Sequence, residues 1–169
     1  MEMNKESEAT HTQNRTTVER RSECELVVTR IVNAPAHIVF ETWTKPDLFR
    51  RWWVPKSYGL NLVSCEMDVR VGGQYRLGFL HEGSTMEFFG TYLEVTPGER
   101  LVWTNDEGDE GQTITTVTFA ETDGKTLLVV HDLYPSKIAS ENGATGAMPE
   151  MLEQLEELLA NLGPATETK

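Results

Sequence analysis

His131 and Asp132, neighbours in a stretch rich in β-branched residues, are the pair whose types suit general acid–base work, and Tyr92 is a third polar candidate. Adjacent strand residues point to opposite faces of a sheet, so only one of the pair can face an interior. The other histidines, His11, His37 and His81, fall in an N-terminal tail, a helical stretch and a hairpin turn. No HxH or HxxxH spacing joins any of them, so no metal is expected. Ser57, Ser64 and Ser84 lie outside any GxSxG elbow, which leaves nucleophilic catalysis without a signal. Gly72-Gly73 lacks both the GxxxxGK[ST] and GxGxxG patterns and precedes a strand, so it reads as a hairpin turn and no nucleotide cofactor is expected. Cys24 and Cys65 are far apart and outside CxxC spacing, which argues against a zinc or redox motif. The residues with most to offer a ligand are apolar: in Trp52-Trp53, adjacent helical positions differ by about 100°, so one ring belongs to the core and the other nearer a cavity or the surface.

The elements that must position these residues follow from periodicity. Residues 24–32 (CELVVTRIV) read as a strand, and Asn33-Ala34-Pro35 supplies a cap candidate and a proline in the first turn of a helix. Ala36, Val39, Phe40 and Trp43 then form one apolar stripe, and Pro46 opens a second short helix, PDLFRRWW. Turn signals at Gly72-Gly73, His81-Glu82-Gly83, Pro97-Gly98, Glu107-Gly108-Asp109 and Asp123-Gly124 punctuate six strands over 60–70, 73–80, 84–95, 100–105, 112–121 and 125–133. Met148, Met151, Leu152, Leu155, Leu158, Leu159 and Leu162 keep helical spacing opposite Glu150, Glu153, Glu156 and Glu157, and Gly163-Pro164 predicts the end of that helix. The expected fold is α+β. A seven-stranded curved antiparallel sheet is covered on one face by the long C-terminal helix, and two short helices close one end.

Residues 1–22 carry almost no large apolar side chain and read as a disordered lead-in, residues 23–163 as one domain, and 164–169 as a tail. The lead-in lacks an apolar signal-peptide core, and no segment approaches the roughly 20 apolar residues of a membrane span, so a cytoplasmic location is expected. A net charge of −12 repels phosphate backbones, which excludes nucleic acid as a partner.

Three motifs resemble a known family. Residues 43–55 (WTKPDLFRRWWVP), 68–75 (DVRVGGQY) and 90–104 (GTYLEVTPGERLVWT) are similar, in this order, to signatures of the Hsp90-ATPase-activator-like family of the Bet v 1/START-like (SRPBCC) superfamily. The resemblance implies a helix-grip fold whose curved sheet and last helix enclose a cavity. Many members carry Gly-Trp where this chain has Ala147-Met148, which implies a more adaptable cavity mouth lined by a thioether. The implied strand order puts Cys24 and Cys65 at opposite edges of the sheet, so both are expected as free thiols.

Within that fold Trp53, Met86, Phe88, Tyr92, Trp103, Met148, Met151 and Leu155 are the expected cavity residues, with Gly90 letting the sheet bend around the space. Three functions are open. The first is a binding or carrier protein for a small hydrophobic molecule such as a lipid, polyketide or aromatic metabolite. The second is a cyclase- or hydratase-type enzyme using His131, Asp132 or Tyr92, although no acid, base and nucleophile set is assembled by the sequence. The third, implied by the family name, is a module that contacts a chaperone, with a lead-in too short to replace the extra N-terminal domain of co-chaperones.

Overall fold

The computed structural model describes residues 16–106, 111–137 and 147–167, with side chains to residue 162. Its strands are β1 (Thr17–Ser22), β2 (Glu25–Val32), β3 (Asn61–Met67), β4 (Gln74–His81), β5 (Ser84–Thr96), β6 (Arg100–Asn105), β7 (Thr113–Thr122) and β8 (Lys125–Leu133). Helices α1 (Ala36–Thr44) and α2 (Pro46–Phe49) follow β2, a 3-10 turn spans Lys56–Tyr58, and α3 (Ala147–Glu167) comes last. All strands join one antiparallel sheet in the order β1-β2-β8-β7-β6-β5-β4-β3.

The expected α+β architecture is present, with one correction: the sheet has eight strands, not seven. The additional strand is Thr17–Ser22, which the sequence placed in the disordered lead-in. All six of its residues are exposed, so it has no apolar face to reveal it. Its backbone pairs with β2 from Thr17–Thr29 to Ser22–Glu25, and this pairing gives the free side of β2 the hydrogen bonds a sheet edge lacks. His11, the rest of the lead-in to residue 15 and the Glu107-Gly108-Asp109 turn lie outside the described residues.

The end of α3 also differs, because the helix continues through Gly163-Pro164 to Glu167. Proline has a helical φ, and the bond it removes is the one to the carbonyl four residues earlier, here that of exposed Ala160, where water can replace it.

Each apolar stripe is buried where periodicity put it. Ala36, Val39, Phe40 and Trp43 of α1 belong to the core, with Phe40 and Trp43 edge-on to Phe119 of β7 at 5.3 and 6.3 Å. Asn33 does not cap α1: the Glu121 carboxylate of β7 accepts the Ala36 N–H at 2.9 Å, placing negative charge at the helix N-terminus. Met148, Met151, Leu152, Leu155, Leu158 and Leu159 of α3 are buried, while Glu153 and Glu157 are exposed.

Both cysteines are free. Cys65 sits on edge strand β3 and Cys24 in the β1–β2 turn, and five strands separate β2 from β3. At about 4.8 Å per strand, no disulfide can reach across.

Candidate functional site: an apolar cavity with one polar corner

A cavity of about 40 Å³ lies between the α1–α2 region and strands β3 to β6. Four residues expected from the sequence, Trp53, Phe88, Tyr92 and Trp103, line it together. The remaining wall is Trp43 and Phe49 from the helices, Met67, Tyr75 and Leu77 from β3 and β4, and Asn105 from the end of β6. Helix α2 ends at Phe49, not at Trp53 as the PDLFRRWW stretch predicts, so Trp52 and Trp53 lie in the turn that follows it; they still divide, Trp52 being fully buried and Trp53 half-buried on the wall, stacked on Phe49 at 4.7 Å.

Met86, Met148, Met151 and Leu155 do not line this cavity. Met86 is 40% exposed near the start of β5, and the α3 residues are buried in the core. Gln154 ties α3 to the segment that carries Trp53. This buried side chain donates to the Trp52 and Val54 carbonyls at 3.0 and 2.9 Å and accepts the Lys56 N–H at 2.9 Å. Ser57 adds hydrogen bonds to Glu150 from its hydroxyl and N–H at 2.6 and 3.0 Å. The 52–57 segment is thereby fastened to α3, and Trp53 of that segment is what reaches the cavity. Met148, expected at the cavity mouth, is 8% exposed and packs in the core.

Gly90 sets the shape of the β5–β6 side. A Cβ there would fall 1.8 Å from the Thr104 carbonyl oxygen, so only glycine lets the two strands approach this closely. Tyr75 crosses at this point and donates to that carbonyl at 2.7 Å, with the Asn105 carboxamide oxygen 2.9 Å away. Asn105 donates in turn to the Thr113 carbonyl and the Thr115 hydroxyl at 3.3 and 3.0 Å, and Thr115 donates to Asp132 at 2.6 Å. A polar chain thus runs from Asp132 through Thr115 to Asn105 on the cavity wall.

The catalytic candidates separate. His131 faces away from the cavity and pairs with Glu25 at 2.9 Å, where its hydrogen bond, followed by that of Ser22, holds the half-buried Glu25 carboxyl below its usual range. Asp132 lies on the core-facing side but reaches the cavity only through Thr115 and Asn105, and a carboxamide is a poor proton carrier. The chain therefore orients Asn105 rather than delivering a proton. Tyr92 is on the wall, and burial, followed by the charges of Cys65 and Asp68, raises its phenol pKa so that it stays neutral. Burial likewise raises the Cys65 thiol above its usual range, which makes it a weak nucleophile. No three His, Cys, Asp or Glu converge on a metal position among the described residues.

A second depression beside Glu66, Asp68, Arg70 and Arg76 is open and polar, and its arginines are engaged by Asp68 at 2.9 Å and Glu87 at 2.6 Å. It shares Met67 and Tyr75 with the cavity, but the rest of its lining is mostly polar or charged.

Residues 33–160 match the family described as "Activator of Hsp90 ATPase homolog 1-like protein". The chain belongs to this family. The match covers most of the sequence and places it in the SRPBCC superfamily, whose fold is a general ligand-binding one. Among solved structures, a protein from Chromobacterium violaceum is 34% identical with a TM-score of 0.70, over 81% of this chain and 97% of its own. One from Nitrosomonas europaea is 25% identical with a TM-score of 0.74, over 84% and 97%. A third, from Rhodobacter sphaeroides, has a TM-score of 0.78 at 22% identity over 87% and 99%, a likeness of fold alone. No curated protein gives a match. As a member of the family, the chain shows no helix among its described residues that is long and apolar enough to cross a membrane.

Trp43, Phe49, Met67, Tyr75, Leu77 and Asn105 are wall residues that sequence reasoning missed. Trp43 was visible as the last member of an apolar stripe, but periodicity assigns it only to the core. Nothing local marks Asn105, a strand-end residue whose partners come from β4 and β7.

The Asp132 environment carries a pH prediction. Burial raises its carboxyl pKa, opposed by the Thr115 hydroxyl and by His131. A raised folded-state pKa means that this group's contribution to stability is full below the unfolded value of about 4 and is lost as pH rises through the folded value. Asp132→Asn removes the buried charge and keeps an oxygen for Thr115. The variant is expected to melt a few degrees above the parent at pH 7, with the advantage vanishing at pH 3. Thermal melts at the two pH values check this, and an equal or lower melting temperature at pH 7 contradicts it.

Proposed function

We propose that this protein binds a small, neutral, ring-sized hydrophobic molecule in the cavity between α1–α2 and β3–β6. The observation that carries this reading is a wall built from Trp43, Phe49, Trp53, Phe88, Tyr92 and Trp103, with no charged side chain among its lining residues. Structural cores fill such spaces. Here seven aromatic rings, these six and that of Tyr75, surround a gap instead.

The size of the gap favours one class among lipids, polyketides and aromatic metabolites. Ligand pockets for drug-sized molecules measure about 300–1,000 Å³. A resting volume of about 40 Å³ leaves no room for an acyl chain. A flat ring can enter if Phe88 and Trp53 turn outward. Phe88 is 37% exposed and Trp53 half-buried, so these are the wall residues with space to move. Binding without turnover is favoured by the placement of His131 on the far face and of Asp132 behind Asn105.

The test is a thermal-shift series with p-xylene, indole, naphthalene and a C16 fatty acid. At a free concentration near 100 times Kd, a bound ligand adds about 2.7 kcal/mol, or roughly 5–10 °C for a domain of this size. At least one ring compound is expected to give a saturable rise, with the fatty acid giving none. Flat responses to every ring compound up to its solubility limit exclude the reading.

A further inference from the structure

Two polar groups on the cavity wall have unused hydrogen-bonding capacity of opposite sense. Tyr92 is 3% exposed, and its hydroxyl makes no hydrogen bond among the described residues. Its oxygen is not among the fully buried unpartnered atoms, so it meets open space, which on this wall is the cavity.

The second group is the Asn105 carboxamide. Both its amide protons are committed, one to the Thr113 carbonyl at 3.3 Å and one to the Thr115 hydroxyl at 3.0 Å. The Thr113 carbonyl can only accept, so the amide cannot be turned over without setting two oxygens against each other. Its orientation is therefore fixed. The Tyr75 hydroxyl lies 2.9 Å from the carboxamide oxygen and shares with it, at most, the one proton it gives to the Thr104 carbonyl at 2.7 Å, so of the two lone pairs on the amide oxygen at least one is left over.

A hydroxyl group is the smallest neutral group that answers both, since it accepts through oxygen and donates through hydrogen. We propose that the cavity selects a ring bearing a neutral hydroxyl, a phenol or cyclic alcohol, with Tyr92 donating to the ligand oxygen and the Asn105 carboxamide oxygen accepting the ligand proton. The inference rests on the ring-binding reading above and adds the polar group that the ring carries. The wall also explains what is rejected. It holds no Lys, Arg or His to balance a carboxylate, and burial keeps Tyr92 itself uncharged.

The experiment is calorimetric titration of the full chain with four probes built on one toluene ring. These are p-xylene, with no polar group; 4-methylanisole, which accepts but cannot donate; p-cresol, which does both; and p-toluate, which is charged. We expect p-cresol to bind about tenfold more tightly than p-xylene, the difference made by hydrogen bonds of ordinary net strength, with 4-methylanisole between them and p-toluate undetected. Tyr92→Phe removes only an unpartnered hydroxyl, so the variant should fold with an unchanged or higher melting temperature. It should bind p-cresol at least fivefold more weakly while leaving p-xylene unaffected. If p-xylene binds as tightly as p-cresol, or if Tyr92→Phe leaves p-cresol affinity unchanged, the hydroxyl proposal is overturned while the cavity reading stands. If no probe binds, both fall together.

Discussion

Gly90→Ala is expected to destabilise this protein by about 3–5 kcal/mol, one of the largest effects open to a single methyl group. The added carbon would lie 1.8 Å from the Thr104 carbonyl oxygen, 2.7 Å from the carbonyl carbon and 2.9 Å from the Tyr75 ring. The nearest two atoms are backbone, so no side-chain rotation relieves the clash. Strands β5 and β6 would have to separate by more than an ångström, which breaks three bonds that cross the junction. These are Tyr75 hydroxyl to Thr104 carbonyl at 2.7 Å, Thr91 N–H to Thr104 hydroxyl at 2.9 Å, and Asp106 N–H to Phe89 carbonyl at 2.8 Å. Gly98→Ala is the control. Gly98 sits in a turn at φ 74° with nothing within 4 Å of a new carbon, so it costs only the local strain of about 1–2 kcal/mol. Denaturant unfolding of the two variants checks the contrast. A Gly90→Ala protein within 1 kcal/mol of the parent would mean that the strand junction is compliant and does not set the cavity shape.

The second large effect is expected at Trp52. Its ring is fully buried and lies 4.7 Å from Trp43, 5.4 Å from Trp53 and 5.6 Å from Phe49, centroid to centroid. Trp52→Ala opens a cavity at the centre of this cluster, a loss of about 3–5 kcal/mol. It also strips the Thr42 carbonyl of the indole N–H it accepts at 2.9 Å. Substitution by Phe separates packing from hydrogen bonding. Trp52→Phe keeps a ring but orphans the Thr42 carbonyl, whereas Trp43, 1% exposed, has an indole N–H with no partner among the described residues. Trp43→Phe loses ring area but no hydrogen bond. We expect Trp52→Phe to cost about 1 kcal/mol more than Trp43→Phe. A Trp43→Phe variant as unstable as Trp52→Phe would show that ring area, and not the indole hydrogen bond, governs this cluster.

The contrast between β1 and the strands of the meander shows what local signals can carry. Strands β4 to β8 are bounded by turn chemistry at Gly72-Gly73, Glu82-Gly83, Pro97-Gly98 and Asp123-Gly124, where Glu82 and Asp123 as well as several glycines adopt positive φ. Such turns are properties of two or three adjacent residues, so their ends are legible to within a residue or two. Thr17–Ser22 has no such property. Its polar residues are exposed on both faces, and it is a strand only because β2 offers an edge to pair with.

The sequence by itself determined the order of elements from β2 onward, the apolar stripes of α1 and α3, the family motifs and the presence of Trp53, Phe88, Tyr92 and Trp103 near one interior space. Each of these depends on spacing along the chain, where helical and strand periods decide which face is apolar. Only the tertiary structure decided which buried residues border a void and which are simply packed. Met148, Met151 and Leu155 share the inward face of α3, yet the 52–57 segment fastened to Gln154 and Glu150 accompanies that helix, and they meet core instead of cavity. Asn105 acquired its role the same way, from Tyr75 on one neighbouring element and Thr115 on another. A period identifies a face, but whether that face meets empty space depends on the volumes and hydrogen bonds of side chains from several distant segments, a sum that no single stretch of sequence contains.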